Sequence, residues 1–164
     1  GEPDLVQISG GEPTLHPDFF EILDAVRARP IRHVMINTNG LRIASATAFL
    51  YHGSAILFGC FAGPGPVAFA NSHHWPVIMG YLIGWAQFAG GLAVLFGVLT
   101  RLGATCLAIV MIGAIFTVHL PRGFNIGNGG MEYALTQLVI AIALILTGPG
   151  IYSLSVWVRK LAKI

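Results

Sequence analysis

Residues 80–115, GYLIGWAQFAGGLAVLFGVLTRLGATCLAIVMIGAI, decide the fold of this chain. Arg101 is the only charged residue in this stretch, and Gln87 is its one strongly polar uncharged side chain. The apolar runs on either side of residues 99–101 are each long enough for a helix, and together they are too apolar for a hairpin in water. The stretch therefore predicts two membrane-spanning helices joined by a short turn.

The composition divides the chain into two unlike parts. Of 164 residues, 55% are hydrophobic and only 10% are charged, and the mean hydropathy is +0.74. Soluble domains carry about a quarter charged residues. Six of the seven acidic residues lie within the first 24 positions, so residues 1–40 are typical of soluble protein and residues 41–164 of membrane protein. The net charge of +2 does not indicate a nucleic-acid partner, and we expect none.

Four stretches of the second part are long and apolar enough to cross a bilayer as helices, which takes about 20 residues. They are residues 43–61, 76–99, 102–120 and 132–150, approximately. No alternating pattern of barrel strands occurs in the sequence. The predicted fold is therefore an all-α membrane protein, a bundle of four transmembrane helices preceded by a short strand–helix–strand fragment.

The distribution of Lys and Arg near the span ends predicts the orientation. With four spans, Arg42, Arg101 and the three cations after residue 158 fall on one side of the membrane, and only Arg122 falls on the other. We therefore expect both termini in the cytoplasm.

Small and polar residues recur at helical spacing, and they predict which helix faces pack together. The predicted inward faces are Ser45, Ala48, His52, Ala55 and Gly59 in the first span, Gly80, Gly84, Gln87 and Gly91 in the second, and Glu132, Thr136, Ala143 and Thr147 in the fourth.

The candidate functional residues are the polar side chains that such a bundle can gather: His52, Gln87, His119, Glu132 and Tyr133. An ionisable residue inside a membrane is costly, which makes a functional site the default interpretation. A Glu–His pair with a Gln donor would bind a quinone-like head group or relay protons. In the alternative interpretation these groups only hydrogen-bond to one another and fix the packing. This alternative applies especially to Glu132, because an acid at a helix N-terminus is favoured by the helix dipole in any case. His52 is the best single candidate.

The sequence predicts neither a metal site nor a disulfide. His73 and His74 lie in a Gly/Pro/His-rich stretch, residues 63–75, which we expect to be an outward loop without a third ligand. Cys60 and Cys106 are predicted near opposite membrane faces, too far apart for a bridge, and we interpret both as buried small residues.

Residues 1–40 predict a parallel strand–helix–strand unit. The predicted strands are Leu5–Ser9 and His33–Asn37, the helix is Pro17–Arg29, and a turn follows at residues 38–40. The stretches ISGGEPTLHP (8–17) and MINTNG (35–40) resemble the radical S-adenosylmethionine (SAM) enzymes.

The radical SAM resemblance implies that the turn formed by Gly10, Gly11, Glu12 and Pro13 contacts the methionyl amino group of the cofactor. The family holds an iron–sulfur cluster on a C-x-x-x-C-x-x-C loop, which this sequence lacks. We therefore expect no cluster here, and we interpret the fragment as a non-functional remnant, a fusion or an assembly join.

A second resemblance covers residues 41–164. The segments that carry it are YHGSAILFG (51–59), QFAGGLAVLFGVLTRLGA (87–104), MIGAIFTVHLPRGF (111–124), GGMEYAL (129–135) and LTGPGIYSL (146–154). In order and spacing they resemble the DoxX family of small four-span proteins, which often carries Glu where Gln87 stands. The resemblance implies a multi-pass protein of the bacterial inner membrane. Some relatives are named as subunits of a thiosulfate:quinone oxidoreductase, and others associate with oxidative-stress and sulfur-transfer proteins.

Three functions follow from these patterns. The leading one is an accessory or quinone-facing subunit of a membrane redox system, in contact with lipid and with other membrane or redox subunits, and not an enzyme on its own. The second is a structural scaffold subunit without chemistry. The third, the remnant of a radical SAM enzyme, is disfavoured because the cluster-binding cysteines are missing.

Overall fold

The computed structural model describes residues 5–9, 16–37, 39–149 and 153–154. Within these residues the chain forms two strands and six α-helices. They are β1 (Leu5–Ser9), α1 (Phe19–Arg27), β2 (His33–Asn37), α2 (Asn39–Phe58), α3 (Gly65–Ser72), α4 (Val77–Phe96), α5 (Thr100–Ala114) and α6 (Glu132–Thr147). The predicted cofactor-like turn at residues 10–13 and the C-terminal cations lie outside the described residues.

The N-terminal unit has its two strands at the predicted residues. β1 and β2 pair in parallel, from Leu5 opposite His33 to Ser9 opposite Asn37, and α1 connects them. The predicted turn at residues 38–40 is wrong for its last two positions, because Asn39 and Gly40 already belong to α2. The proposed division of the chain after residue 40 therefore falls within the first turn of a helix, and it stays a prediction.

The apolar helices pack around one core. α4 contacts α2, α3 and α5, and α6 contacts α5 and α2. The buried apolar side chains of this core are Ala46, Phe49, Val94, Ala104, Leu107, Ala108, Met111, Ile115, Ala134, Ala141 and Leu144. The outer surface is apolar as well, since Leu82, Ile109 and Leu146 are 57%, 63% and 73% exposed. A protein that is apolar both inside and outside is suited to lipid.

Two described helices are long and apolar enough to cross a membrane. They are α4 and the segment Thr100–Arg122, in which α5 continues through the π-helical turn Ile115–His119. The segments Gly40–Phe58 and Cys60–Ser72 would count as a third span together, but they are bent by 96°. α6 has 16 residues, a rise of about 24 Å, which is shorter than the roughly 30 Å of hydrocarbon. The chain is thus a mainly helical membrane protein, and the fourth span stays a prediction.

Glycines set the distances between the helices. The predicted inward face of α4 is confirmed, because Gly80, Gly84, Gln87 and Gly91 are all buried. On the side of α4 that contacts α5, a Cβ added to Gly103 would lie 2.8 Å from the Cβ of Ala93 and 2.9 Å from the Gly90 carbonyl oxygen. Because both distances are shorter than ordinary contacts, α4 and α5 can approach this closely only without a side chain at Gly103.

The predicted inward face of the fourth span is wrong. Glu132, Thr136 and Ala143 are exposed, and the buried residues of α6 are Ala134, Gln137, Ala141 and Leu144. The Thr136 hydroxyl donates a 2.9 Å hydrogen bond to the carbonyl of Glu132, one turn earlier. A threonine whose hydroxyl is satisfied by its own helix can face lipid, and its polarity therefore does not identify an interior position.

The stretch predicted to be an outward loop, residues 63–75, contains the helix α3 instead. Pro66 lies in its first turn, where the missing N–H is not needed. The apolar residues that follow allow α3 to pack on α4, and Ala70 is completely buried. The Gly and Pro residues of this stretch, at positions 63–66, therefore mark the start of a short helix, not a loop throughout.

Candidate functional site

A cavity of about 750 Å³ lies between α4 and α5. It begins beyond the Gly90–Gly103 contact, on the side away from the hairpin turn at residues 97–99. α2, α3, α6 and the π-helical turn Ile115–His119 also contribute to its walls. The lining is mostly apolar with a few polar groups, which is the usual make-up of a small-molecule site.

The structure brings four of the five predicted site residues to this cavity: His52, Gln87, His119 and Tyr133. Glu132 does not line it. The Glu132 carboxylate instead accepts a 3.1 Å hydrogen bond from the backbone N–H of Ile126 in the preceding loop. In this structure Glu132 therefore holds the loop against the start of α6.

Gln87 is the most buried polar residue of the cavity wall. It lies on the glycine-rich face of α4, and its side chain is only 6% exposed. Its amide makes no hydrogen bond to any other residue that the structure describes. Because this amide has both a donor and an acceptor unused by those residues, it is well suited to pair with a polar atom of a bound molecule.

His119 lies at the end of the π-helical turn, where its ring orientation is fixed. Its Nδ1 is 2.7 Å from the Gly129 carbonyl oxygen. A carbonyl oxygen can only accept, so Nδ1 carries the proton and donates it. In the neutral ring, Nε2 is then left as an acceptor.

His52 and Tyr133 lie together where α2 meets α6. Their ring centroids are 6.4 Å apart, and His52 also makes an edge-to-face contact of 5.3 Å with Tyr51. His52 was predicted to point inward, but it is exposed at the surface of the bundle while still lining the cavity. The His52–Tyr133 pair therefore forms part of the cavity rim.

Sequence reasoning missed His73 as a cavity residue. Its Nδ1 lies 2.9 Å from the Phe69 carbonyl oxygen, and its ring stacks on Trp75 at 4.7 Å. The neighbouring His74 is exposed and does not line the cavity. The spacing Phe69–His73, four residues apart on a helix, is the signal that could have placed His73 on the same face as an aromatic side chain.

Gln137 is a second residue that the sequence reasoning missed. The buried Ser45 hydroxyl of α2 donates a 2.7 Å hydrogen bond to its Oε1 and so joins α2 to α6. Gln137 lies on one helical stripe with Ala134 and Ala141, and that small-residue spacing could have identified the inward face of α6.

The cavity offers hydrogen bonds and no fixed charge. No Asp, Glu, Lys or Arg occurs among the described residues that line it. The described part of the chain also contains no cluster of three His, Cys, Asp or Glu side chains arranged for a metal ion. Cys106 lines the cavity, whereas Cys60 is exposed, which shows that the prediction of burial is wrong for Cys60.

Comparison with known proteins gives different matches for the two parts of the chain. The family model described as DoxX matches residues 39–120. The protein named "Putative oxidoreductase CatD" of Bacillus subtilis strain 168 is 35% identical over 125 residues, which cover 76% of this chain and 89% of that protein. An uncharacterized protein of Haemophilus influenzae is 31% identical over 87 residues, 53% of this chain and 54% of that protein.

A short match of another kind fits the N-terminal fragment. The GTP 3′,8-cyclase of Klebsiella pneumoniae is 52% identical over 40 residues, which cover 24% of this chain and 12% of that enzyme. No solved structure matches the chain. Both resemblances inferred from the sequence are thereby confirmed, the one to the DoxX family by the match at residues 39–120 and the one to radical SAM enzymes over a fragment.

Proposed function

The chain belongs to the DoxX family, and from this premise we propose that it is an accessory, quinone-facing subunit of a membrane redox system. In this proposal the cavity between α4 and α5 binds a ring head group, and the chain catalyses no reaction on its own. Electrons pass to or from the bound ring through other membrane or redox subunits. The name of CatD describes that relative as an oxidoreductase, which agrees with a redox setting.

The buried amide of Gln87 is the observation that carries the proposal. It is the deepest polar group of an otherwise largely apolar cavity, and it has no hydrogen-bond partner among the described residues. A quinone is a flat apolar ring with two carbonyl acceptors. The Gln87 amide N–H and the Tyr133 hydroxyl are donors that match such acceptors.

The rim of the cavity supports entry from the lipid. Met79, Leu82 and Ile109 line the cavity and are 45%, 57% and 63% exposed on the outer surface. A ligand with a long apolar tail could therefore insert its head group sideways while the tail stays in the hydrocarbon. This route avoids transfer of the tail through water.

We further propose four spans in the bacterial inner membrane with both termini in the cytoplasm. The Nη1 of Arg42, in α2, lies 3.5 Å from the Val94 carbonyl oxygen near the end of α4, and Arg101 follows the same hairpin turn. These two cations therefore share one end of the bundle, which the positive-inside rule assigns to the cytoplasm. Local thinning of the bilayer accommodates the short helix α6.

The test is binding of a quinone to the protein in nanodiscs, compared between wild type and Gln87→Leu. Leu has a similar volume and no polar atom, so this variant should fold with equal or greater stability while quinone affinity falls about tenfold, the loss of one or two hydrogen bonds. Thr136→Val is the matched control, because Thr136 is a polar residue of the bundle outside the cavity. Equal affinity in all three proteins, or no binding at all, would contradict the proposal.

A structural scaffold is the second candidate function. The Ser45–Gln137 and Glu132–Ile126 hydrogen bonds favour it, because these polar groups pair within the protein and need no ligand. If the scaffold function is right, neither the wild type nor Gln87→Leu binds the quinone, and the variant keeps every partner-dependent activity. The same two proteins therefore distinguish both functions.

A further inference from the structure

In two histidines that line the cavity, a backbone carbonyl group determines which ring nitrogen carries the proton. The Nδ1 of His119 is 2.7 Å from the Gly129 carbonyl oxygen, and the Nδ1 of His73 is 2.9 Å from the Phe69 carbonyl oxygen. The Ser72 hydroxyl lies 3.1 Å from the His73 Nδ1 but donates its own hydrogen to the same Phe69 carbonyl oxygen. Since a carbonyl cannot donate, each Nδ1 must carry the hydrogen of its bond. Nε2 is then the ring nitrogen that remains for a ligand.

The neutral form of each ring has one free acceptor. No Asp or Glu occurs among the described residues that line the cavity. In a neutral ring whose Nδ1 is protonated, Nε2 accepts and cannot donate. The residues that line the cavity therefore include two imidazole acceptors.

The two acceptors belong to the same end of the cavity. His73 ends α3, four residues before α4 begins, and His119 lies at the end of the π-helical turn that follows α5. α4 and α5 are antiparallel halves of one hairpin, so both histidines lie away from its turn, and both line the cavity. Phe69 and Trp75, each 4.7 Å from the His73 ring centroid to centroid, provide aromatic surface for a flat ligand beside it.

An oxidised quinone cannot use these acceptors, because its carbonyl oxygens also only accept. A hydroquinone has two hydroxyl groups that donate. We propose that the cavity binds the reduced, hydrogen-bond-donating form of a ring head group more tightly than the oxidised form, with His73 and His119 accepting from its hydroxyls. This inference rests on the proposed function, and it specifies which redox form the site prefers.

The test compares three ligands of equal ring substitution on wild-type protein in nanodiscs without oxygen: a hydroquinone, its quinone, and the dimethyl ether of the hydroquinone. The hydroquinone should bind about tenfold more tightly than the quinone, since it gains two hydrogen bonds. The ether keeps the ring shape and loses the donors, so it should bind no more tightly than the quinone.

Substitutions of His73 and His119 test whether these two residues cause the preference for the hydroquinone. His73→Phe and His119→Phe should each reduce the ratio of hydroquinone to quinone affinity about threefold, whereas His74→Phe, the exposed neighbour outside the cavity, should leave the ratio unchanged. Because the result is a ratio within one protein, partial loss of folded material does not alter it.

The outcomes separate this inference from the proposed function. If the quinone or the ether binds as tightly as the hydroquinone, the preference for a donor is overturned and the quinone-facing function stands. If none of the three ligands binds, the proposed function is overturned and this inference with it.

Discussion

The two ends of the α4–α5 hairpin are built from different residues and have different properties. At the closed end, which we define as the Gly90–Gly103 contact and the turn at residues 97–99, backbones touch because side chains are absent. At the open end, which comprises the cavity and the π-helical turn Ile115–His119, larger side chains and histidines surround empty volume. The comparison indicates that the closed end holds the helices together, and under the proposed function the open end binds the ligand.

The π-helical turn contributes to this difference. A π-turn adds a residue to the helical repeat and is frequent at functional sites. Here it begins at Ile115, and Thr117, Val118 and His119 all line the cavity. These three successive residues extend the wall that Ile109, Val110 and Met111 of α5 begin.

The difference between the two ends should have its largest effect on the free energy of unfolding when a glycine of α5 is replaced by alanine at one end or at the other. Gly103→Ala places its Cβ 2.8 Å from the Ala93 Cβ and should cost about 2 kcal/mol of unfolding free energy. Gly113→Ala, at the open end, meets no atom within 4 Å and should stabilise the helix by about 0.5–1 kcal/mol. Denaturant titration in detergent measures both. Equal shifts for the two variants would show that the ends do not differ in packing.

A smaller effect is expected from the hydrogen bond that joins α2 to α6. Ser45→Ala removes the 2.7 Å bond and leaves the Gln137 carbonyl oxygen without its donor, which should cost about 1 kcal/mol. Thr136→Val is the control, because the Thr136 hydroxyl bonds only within its own helix. Denaturant titration measures both variants. If the control loses as much unfolding free energy as Ser45→Ala, the Ser45–Gln137 hydrogen bond does not stabilise the packing of α2 on α6.

Much of the fold could be predicted because its signals are local. Pro30 and the β-branched and apolar residues around it set the ends of α1 and β2, and the Gly80–Gly84–Gln87–Gly91 stripe marks the buried face of α4. These patterns depend on residues within one element, where spacing determines direction.

The remaining features depend on contacts that spacing cannot show. Thr136 looked like an interior residue, but its hydroxyl bonds to its own helix. Glu132 looked like a site residue, but a loop amide six positions earlier in the chain binds its carboxylate. His73 joined the cavity only because α3 is a helix and packs on α4. In the first two cases the deciding partner is a backbone group, and in the third it is the packing of α3 on α4.

The native cysteines provide the most direct test of the central claim, that the open end of the hairpin is a ligand site. Cys106 lines the cavity and Cys60 is exposed outside it, so the wild-type chain contains both the reporter and its control. Labelling by a neutral maleimide in membranes should proceed at both thiols. A saturating quinone or hydroquinone should slow the labelling of Cys106 severalfold and leave the rate at Cys60 unchanged. Unchanged labelling of Cys106, or equal slowing at both cysteines, would contradict a ligand site between α4 and α5.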